Sequence, residues 1–243
     1  PHPDQRGMPE GERRFLVSLR ATGEGHVSSI VFRRGWVDSA CELHFDTPPR
    51  YAEMAKPSPD RKLDKAMFCR KFHRGGACAQ YATVLEALPD EFSVSQLRAA
   101  LATMRSTSGG GIGFREFEAE MMWLAQANYS FRFPDILAPA EMVIFPATSF
   151  EQHGMEDLRL VWFSDDDGSH HYYGTYTAYD GRQIYPMLLE TADFHGFHVS
   201  TLSGRLARNK GMALFPRRID GQYVMLSRHD GENLYLVRSP NLY

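Results

Sequence analysis

The stretch His170-His171-Tyr172-Tyr173-Gly174-Thr175-Tyr176-Thr177-Ala178-Tyr179-Asp180-Gly181-Arg182-Gln183-Ile184-Tyr185-Pro186-Met187-Leu188-Leu189 decides the fold class. Aromatic and β-branched residues run up to an Asp-Gly pair and resume beyond it, the strongest short-range signature of a tight hairpin. The rhythm extends in both directions. From Pro134 onward, strands are expected at 142–145, 158–163, 172–179, 183–189, 196–200, 213–219, 223–227 and 234–238. Their separators are turn-forming: Asp165-Asp166-Asp167-Gly168-Ser169, Asp220-Gly221 and Asp230-Gly231. Short strands at such regular spacing imply a sandwich, a barrel or a propeller.

Upstream of this region the pattern changes twice. Residues 1–13 are polar and read as an arm, and 14–19 with 27–32 read as an opening hairpin around the turn at 22–26. Ser28 and Ser29 fall at the start of its second strand, where ordinary strand hydrogen bonding is their simplest role. After Thr47-Pro48-Pro49 the chain turns charged and aperiodic, and 50–79 read as a loop with short helical pieces. Helices are expected next: one over 80–88 ended by Pro89, and one capped by Ser93 with Val94, Leu97, Leu101 and Met104 on one face. A third carries Phe114, Phe117, Met121, Met122, Leu124 and Ala125 as a broad apolar stripe for packing. The glycines at 109–111 lack the Lys-Ser or Lys-Thr of a phosphate loop and read as a connector. The chain thus divides into 1–49, a mostly helical 50–133, and a β region over 134–243.

Composition excludes several classes. With 243 residues, a net charge of −3 and 43% hydrophobic residues, the chain suits a globular protein with a sizeable core. That charge offers nothing to nucleic acid, and no apolar run is long enough to cross a bilayer. Cys41, Cys69 and Cys78 cannot all pair and form no C-x-x-C, which favours a reducing, cytoplasmic setting. No metal is expected: there is no H-E-x-x-H, and His170 and His171 project to opposite strand faces. The Asp165–Gly168 run lacks the spacing of a calcium loop. The start at Pro1, without a signal peptide or an initiator Met, reads as part of a longer protein.

Chemistry concentrates at Gly154-Met155-Glu156-Asp157-Leu158-Arg159. Adjacent carboxylates repel, which raises the pKa of one of them and suits a general acid. Arg159 supplies a fixed cationic fork to orient it. On its own, this tetrapeptide more often marks a surface turn with a local ion pair. Its company changes the balance.

In order and spacing, this motif resembles glycoside hydrolase family 130 when joined with three others: Tyr173–Gly181, Asp193-Phe194 and Lys210-Gly211-Met212-Ala213-Leu214-Phe215-Pro216-Arg217-Arg218-Ile219-Asp220-Gly221-Gln222-Tyr223. That family comprises β-mannoside phosphorylases and β-1,2-mannosidases. The resemblance runs from about Glu141 onward, with the opening hairpin similar to a first blade. It implies a mainly β fold, part of a five-bladed β-propeller, carrying an α-helical insertion at 50–133. It also implies an inverting enzyme cleaving β-mannosides or related glycosides, with Asp157 as general acid and Leu158 in place of the usual Pro. Lys210 and Arg228 fall where the family binds phosphate, a clamp that neutralises a phosphate nucleophile. Glu156, Arg159, Tyr176, Tyr179, Asp180, Ser28 and Ser29 would line the sugar subsite. Asp180 also has the simpler role of a hairpin turn residue.

The partner expected is an oligosaccharide or glycoside, with no nucleic acid and no membrane. No cofactor is expected, apart from inorganic phosphate as co-substrate, and the two cations tilt the reading toward phosphorolysis over hydrolysis. The helices would either cap the mouth of the site or form a homo-oligomer interface. A non-catalytic sugar-binding or interaction propeller is the alternative, but such a module has no need for Glu156, Asp157, Arg159, Lys210 and Arg228 together.

Overall fold

The computed structural model describes residues 5–47, 53–55, 62–73, 82–108 and 111–243. The chain is mainly β, and the strands among the described residues form four sheets. The first sheet opens with the expected hairpin of β1 (Arg13–Thr22) and β2 (Ser28–Val37), paired in continuous register from Arg13↔Val37 to Thr22↔Ser28. β3 (Leu43–Phe45) and β8 (Met142–Ile144) both pair with β2, and β4 (Glu53–Met54) lies beside β8.

The second sheet has the order β7-β12-β11-β10-β9. Its strands β9 (Met155–Ser164), β10 (His170–Tyr179), β11 (Ile184–Thr191) and β12 (Gly196–Thr201) form an uninterrupted antiparallel meander. The Asp180-Gly181 turn closes β10 onto β11 as its composition requires. Asp180 accepts from the backbone N–H groups of Arg182 at 2.7 Å and Gln183 at 2.6 Å. A third sheet, β13 (Ala213–Leu214), β14 (Tyr223–Ser227) and β15 (Tyr235–Ser239), completes the β part.

The run at 213–219, expected to be one strand, leaves its ladder after Leu214. Pro216 has no N–H to give, and its carbonyl instead accepts from the Ser164 N–H at 2.9 Å, a contact to the end of β9. The three regions read from the sequence are also interleaved. β7 (Tyr129–Arg132), inside the expected insertion, pairs with β12, while β8 from the last region completes the first sheet.

The helices form their own unit: α1 (Lys65–His73), α2 (Ala82–Glu86), α3 (Val94–Ser108) and α4 (Ile112–Gln126), with the small pair β5 (Lys62–Asp64) and β6 (Glu91–Ser93). Ser93 starts α3 as expected. Its hydroxyl accepts from the Gln96 N–H, and the Gln96 side chain accepts from the Ser93 N–H, a reciprocal cap. Phe92, Leu97, Leu101, Phe117, Met121 and Leu124 fill a core separate from that of the sheets. The Lys71 ammonium fastens the unit to β12 by donating to the Thr201 carbonyl at 2.8 Å and to Asn128 Oδ1 at 3.0 Å. Gly109 and Cys78 lie outside the described residues. No helix among the described residues is long and apolar enough to cross a membrane.

Candidate active site

The Glu156-Asp157 pair sits on a β-bulge. Glu156 faces Thr177 and Arg159 faces Thr175, so Asp157 and Leu158 together oppose Tyr176. Such a bulge re-aims a side chain and recurs next to active sites. Asp157 takes φ +56°, a left-handed conformation that Asp tolerates better than most residues. A proline at 158 would push residue 157 toward an extended backbone, so Leu158 is what this geometry accommodates.

The bulge sends the two carboxylates to different surroundings. Glu156 is buried, and two cations hold it: Arg20 Nη2 stands 2.8 Å from one oxygen and Lys210 Nζ 2.7 Å from the other. Asp157 stays half-exposed, with Arg20 Nη1 at 3.9 Å. The sequence reading cast Glu156 as the repelling neighbour of Asp157, or as a group binding a sugar hydroxyl. In the structure its charge is met from both sides, and it serves as the anchor on which Arg20 and Lys210 are set.

Arg20 was not singled out from the sequence. It resembles any strand arginine, and its partner lies 136 residues away. Its bond to Glu156 ties the first hairpin to β9, and within the hairpin it donates through Nε to Ser28 Oγ at 2.7 Å. The approach is tight. A Cβ on Gly154 would lie 3.0 Å from the Ser28 nitrogen, and Gly154 adopts φ +132°, so glycine is required on both counts.

Opposite Asp157 lies the loop carrying Asn209, Lys210 and Gly211. Asp157, Thr175, Thr177, Asn209 and Gly211 line a crevice between β9, β10 and this loop that is too tight to admit a water molecule. Arg159 Nη1 donates to the Gly211 carbonyl at 3.1 Å. A Cβ on Gly211 would sit 3.6 Å from Arg159 Nη2 and 3.7 Å from Arg228 Cδ, so both arginines flank this glycine. Neither guanidinium has a carboxylate partner among the described residues, and Arg228 is exposed. Arg20 and Lys210 are met by Glu156, whereas Arg159 and Arg228 stand unpaired with any carboxylate among the described residues, beside the exposed side chain of Asp157.

Other residues named from the sequence take different parts. Tyr176, expected at the sugar subsite, borders the crevice from β10 but is only 3% exposed, and its hydroxyl donates to buried Glu151 Oε1 at 2.6 Å. Ser29 turns to the opposite face from Ser28 and donates to the Ala21 carbonyl. The Asp180 carboxylate is consumed by its turn and by the Tyr185 hydroxyl at 3.1 Å; the Gln183 and Arg182 N–H groups hold it below the usual carboxylate range despite some desolvation. Tyr179 ends β10 half-buried, its ring 5.9 Å from that of His153.

Glu151 is a second residue that the sequence did not reveal. It is fully buried, accepting from Tyr129 at 2.9 Å, Tyr176 at 2.6 Å, the Thr148 hydroxyl at 2.9 Å and the Ala147 N–H at 3.1 Å. Burial first, and then the Glu151 charge, push both tyrosine hydroxyls well above their ordinary pKa. This network fixes the segment that leads into Gly154 and the bulge.

Among the described residues, the side chains grouped closely enough to suggest metal ligation are Asp38, Glu42 and His44. Asp38 already accepts from the His44 ring at 2.7 Å and from two backbone N–H groups, which makes the group a braced turn. A cavity of about 720 Å³ is bounded by Lys71, Glu120, Arg205, Tyr223 and Tyr243, and shares Met212 with the crevice.

No protein-family model matches the chain, and no curated protein matches it. Among solved structures, β-1,2-mannobiose phosphorylase from Listeria innocua, in complex with β-1,2-mannobiose, aligns with a TM-score of 0.37 and 14% identity, over 97% of this chain and 58% of that one. The chain thus spans little more than half the length of that enzyme. A likeness of that size is too slight to establish a common fold.

Proposed function

We propose that this chain carries the general acid of an inverting enzyme that cleaves β-mannosides or related glycosides, with phosphate as the preferred nucleophile and a β-propeller as the scaffold. The observation that carries the reading is the pair of arginines flanking Gly211 on the loop that borders the crevice of Asp157: Arg159 through its guanidinium and Arg228 through its Cδ, neither with a carboxylate partner among the described residues. Like charges brought together without a counter-ion are stabilised by an anion, and paired guanidinium forks suit phosphate. The motif order described above supplies the sugar.

In this reading Asp157 gives its proton to the departing glycosidic oxygen as the C1–O bond breaks. A phosphate oxygen forms the new bond to C1 from the opposite face, and Asp157 recovers a proton from solvent. Arg159 and Arg228 hold the phosphate. Lys210, with one of its donors on Glu156, offers the others to the phosphate or to a sugar hydroxyl. Arg20 and Glu156 keep this frame in place. Tyr179 stands at its edge as a sugar contact, and Ser28, fully buried, holds Arg20 in place.

The test incubates the protein with β-1,2- and β-1,4-mannobiose, with and without phosphate, and follows mannose 1-phosphate. Product that requires phosphate is expected. Asp157→Asn should lower turnover by roughly 100-fold or more and leave sugar binding in place. Free mannose regardless of phosphate would replace phosphorolysis by hydrolysis. Unchanged turnover in Asp157→Asn would remove it as the acid.

A further inference from the structure

We propose that the trough between α4 and the β10–β11 hairpin is a second glycan-binding subsite, in which a pyranose ring stacks against Trp123 and Tyr185. The proposal rests on the glycoside reading of the Asp157 cluster and extends it outward along the substrate. Trp123, on α4, lies 5.3 Å from the Tyr185 ring and 5.5 Å from that of Phe150. Phe150 is buried, whereas Trp123 and Tyr185 keep part of their surface open. With Ser149, Gln152, Asp180 and Arg182 they enclose about 360 Å³, within the usual size range of a small-ligand site.

The chemistry of the lining selects the ligand. Aromatic walls alone would also suit a quaternary ammonium group. Here the Asp180 carboxylate, which a cation would need, is already bound by two backbone N–H groups and the Tyr185 hydroxyl. The Asp180 charge is offset by the neighbouring Arg182 guanidinium, which has no side-chain partner among the described residues, so the trough carries no net negative charge to draw a cation. A neutral polyhydroxylated ring fits both features: its C–H face covers the aromatic rings, and its hydroxyls take the donors of Arg182 and the second amide N–H of Gln152, whose Nε2 also donates to the Asp180 carbonyl at 2.9 Å.

Position supports the same ligand. The stretch from Ser149 to Asp157 lines the trough at one end and the candidate site at the other. Between Gln152 and Asp157 it can span at most roughly 18 Å even fully extended. An oligosaccharide of a few residues bridges that interval. The helical unit would then be a chain-length reader, supplying Trp123 to longer substrates.

The test titrates the protein with β-1,4-mannohexaose and with mannobiose and follows the indole N–H resonances of Trp36, Trp123 and Trp162, with Trp123→Phe used for assignment. The hexasaccharide should move the Trp123 signal and bind about tenfold tighter than the disaccharide, a gain of the size expected for one ring stack. Arg182→Ala, an exposed change that should leave folding intact, should reduce that gain and leave mannobiose binding unchanged. A Trp123 signal unmoved by the hexasaccharide, with mannobiose still bound, would overturn the subsite and spare the glycoside reading. Binding of neither sugar would overturn both. A Trp123 response to choline without one to hexasaccharide would make the trough a cation cage and overturn the proposal.

Discussion

The sheets and the helical unit bury comparable apolar cores but treat polar groups in opposite ways. The helical cluster, from Leu63 through Phe92 and Leu101 to Ala125, is apolar throughout, with Lys71 and Asn128 only at its margin against β12. The sheet core instead contains Glu151 and its two tyrosines, and Glu156 with its two cations lies at the edge of that core. Buried charge is expensive unless every lone pair is met, so a fold retains it where geometry has to be unique. The difference teaches where the molecule is built to hold atoms still. The helices are held by volume, and the sheets around residue 157 by direction.

Substitutions can break that contrast. The largest effect is expected for Glu151→Ala, which strands two buried tyrosine hydroxyls and the Ala147 N–H; denaturant unfolding should show a loss of roughly 4 kcal/mol. Leu101→Ala in the helical core removes only volume and should cost about 3 kcal/mol. The sharper comparison keeps size constant. Glu151→Gln replaces an acceptor by a donor facing the tyrosines and should cost about 2 kcal/mol, whereas Met121→Leu should stay within about 1 kcal/mol. Equal losses for these two would erase the distinction.

Alkali probes the same network. The folded pKa values of Tyr129 and Tyr176 lie well above 10, their ordinary value, so their stabilisation is complete below about pH 10 and declines as pH rises through the interval up to the folded values. Their tyrosinate absorbance should therefore emerge with unfolding, and Tyr129→Phe should reduce the pH sensitivity. The smallest effect is expected at the other extreme. The folded pKa of Asp180 is depressed, so its contribution is present above about pH 4 and is lost as pH falls through the lower folded value. Asp180→Asn should change acid unfolding by less than about 1 kcal/mol, as befits a turn rather than the core.

The sequence was legible where information is local. Asp180-Gly181 and the strand-forming runs on either side placed β10 and β11, and Ser93 placed the start of α3. β7 was missed because Tyr129-Ser130-Phe131-Arg132 is short, directly follows a helix and owes its strand conformation to β12 more than sixty residues on. The candidate site was legible as a set of charges, not as a set of bonds. Asp157, Arg159 and Lys210 were named within motifs, and Arg228 by its place beyond the last of them. The pairing of Glu156, the burial of Tyr176 and the parts played by Arg20 and Glu151 depend on contacts between residues distant in sequence. Nothing beside those residues announces them.

The bonds of Glu156 have a kinetic consequence. It must meet Arg20 from 136 positions upstream and Lys210 from 54 positions downstream before its charge is neutralised. Closing such loops is slow compared with forming a hairpin or a helix turn. During synthesis the opening hairpin therefore waits, its arginine solvated, until the ribosome has delivered the loop at 209–211. In refolding, the helical unit, rich in local contacts, should gain its signal first, and any activity should appear only with the slowest structural phase.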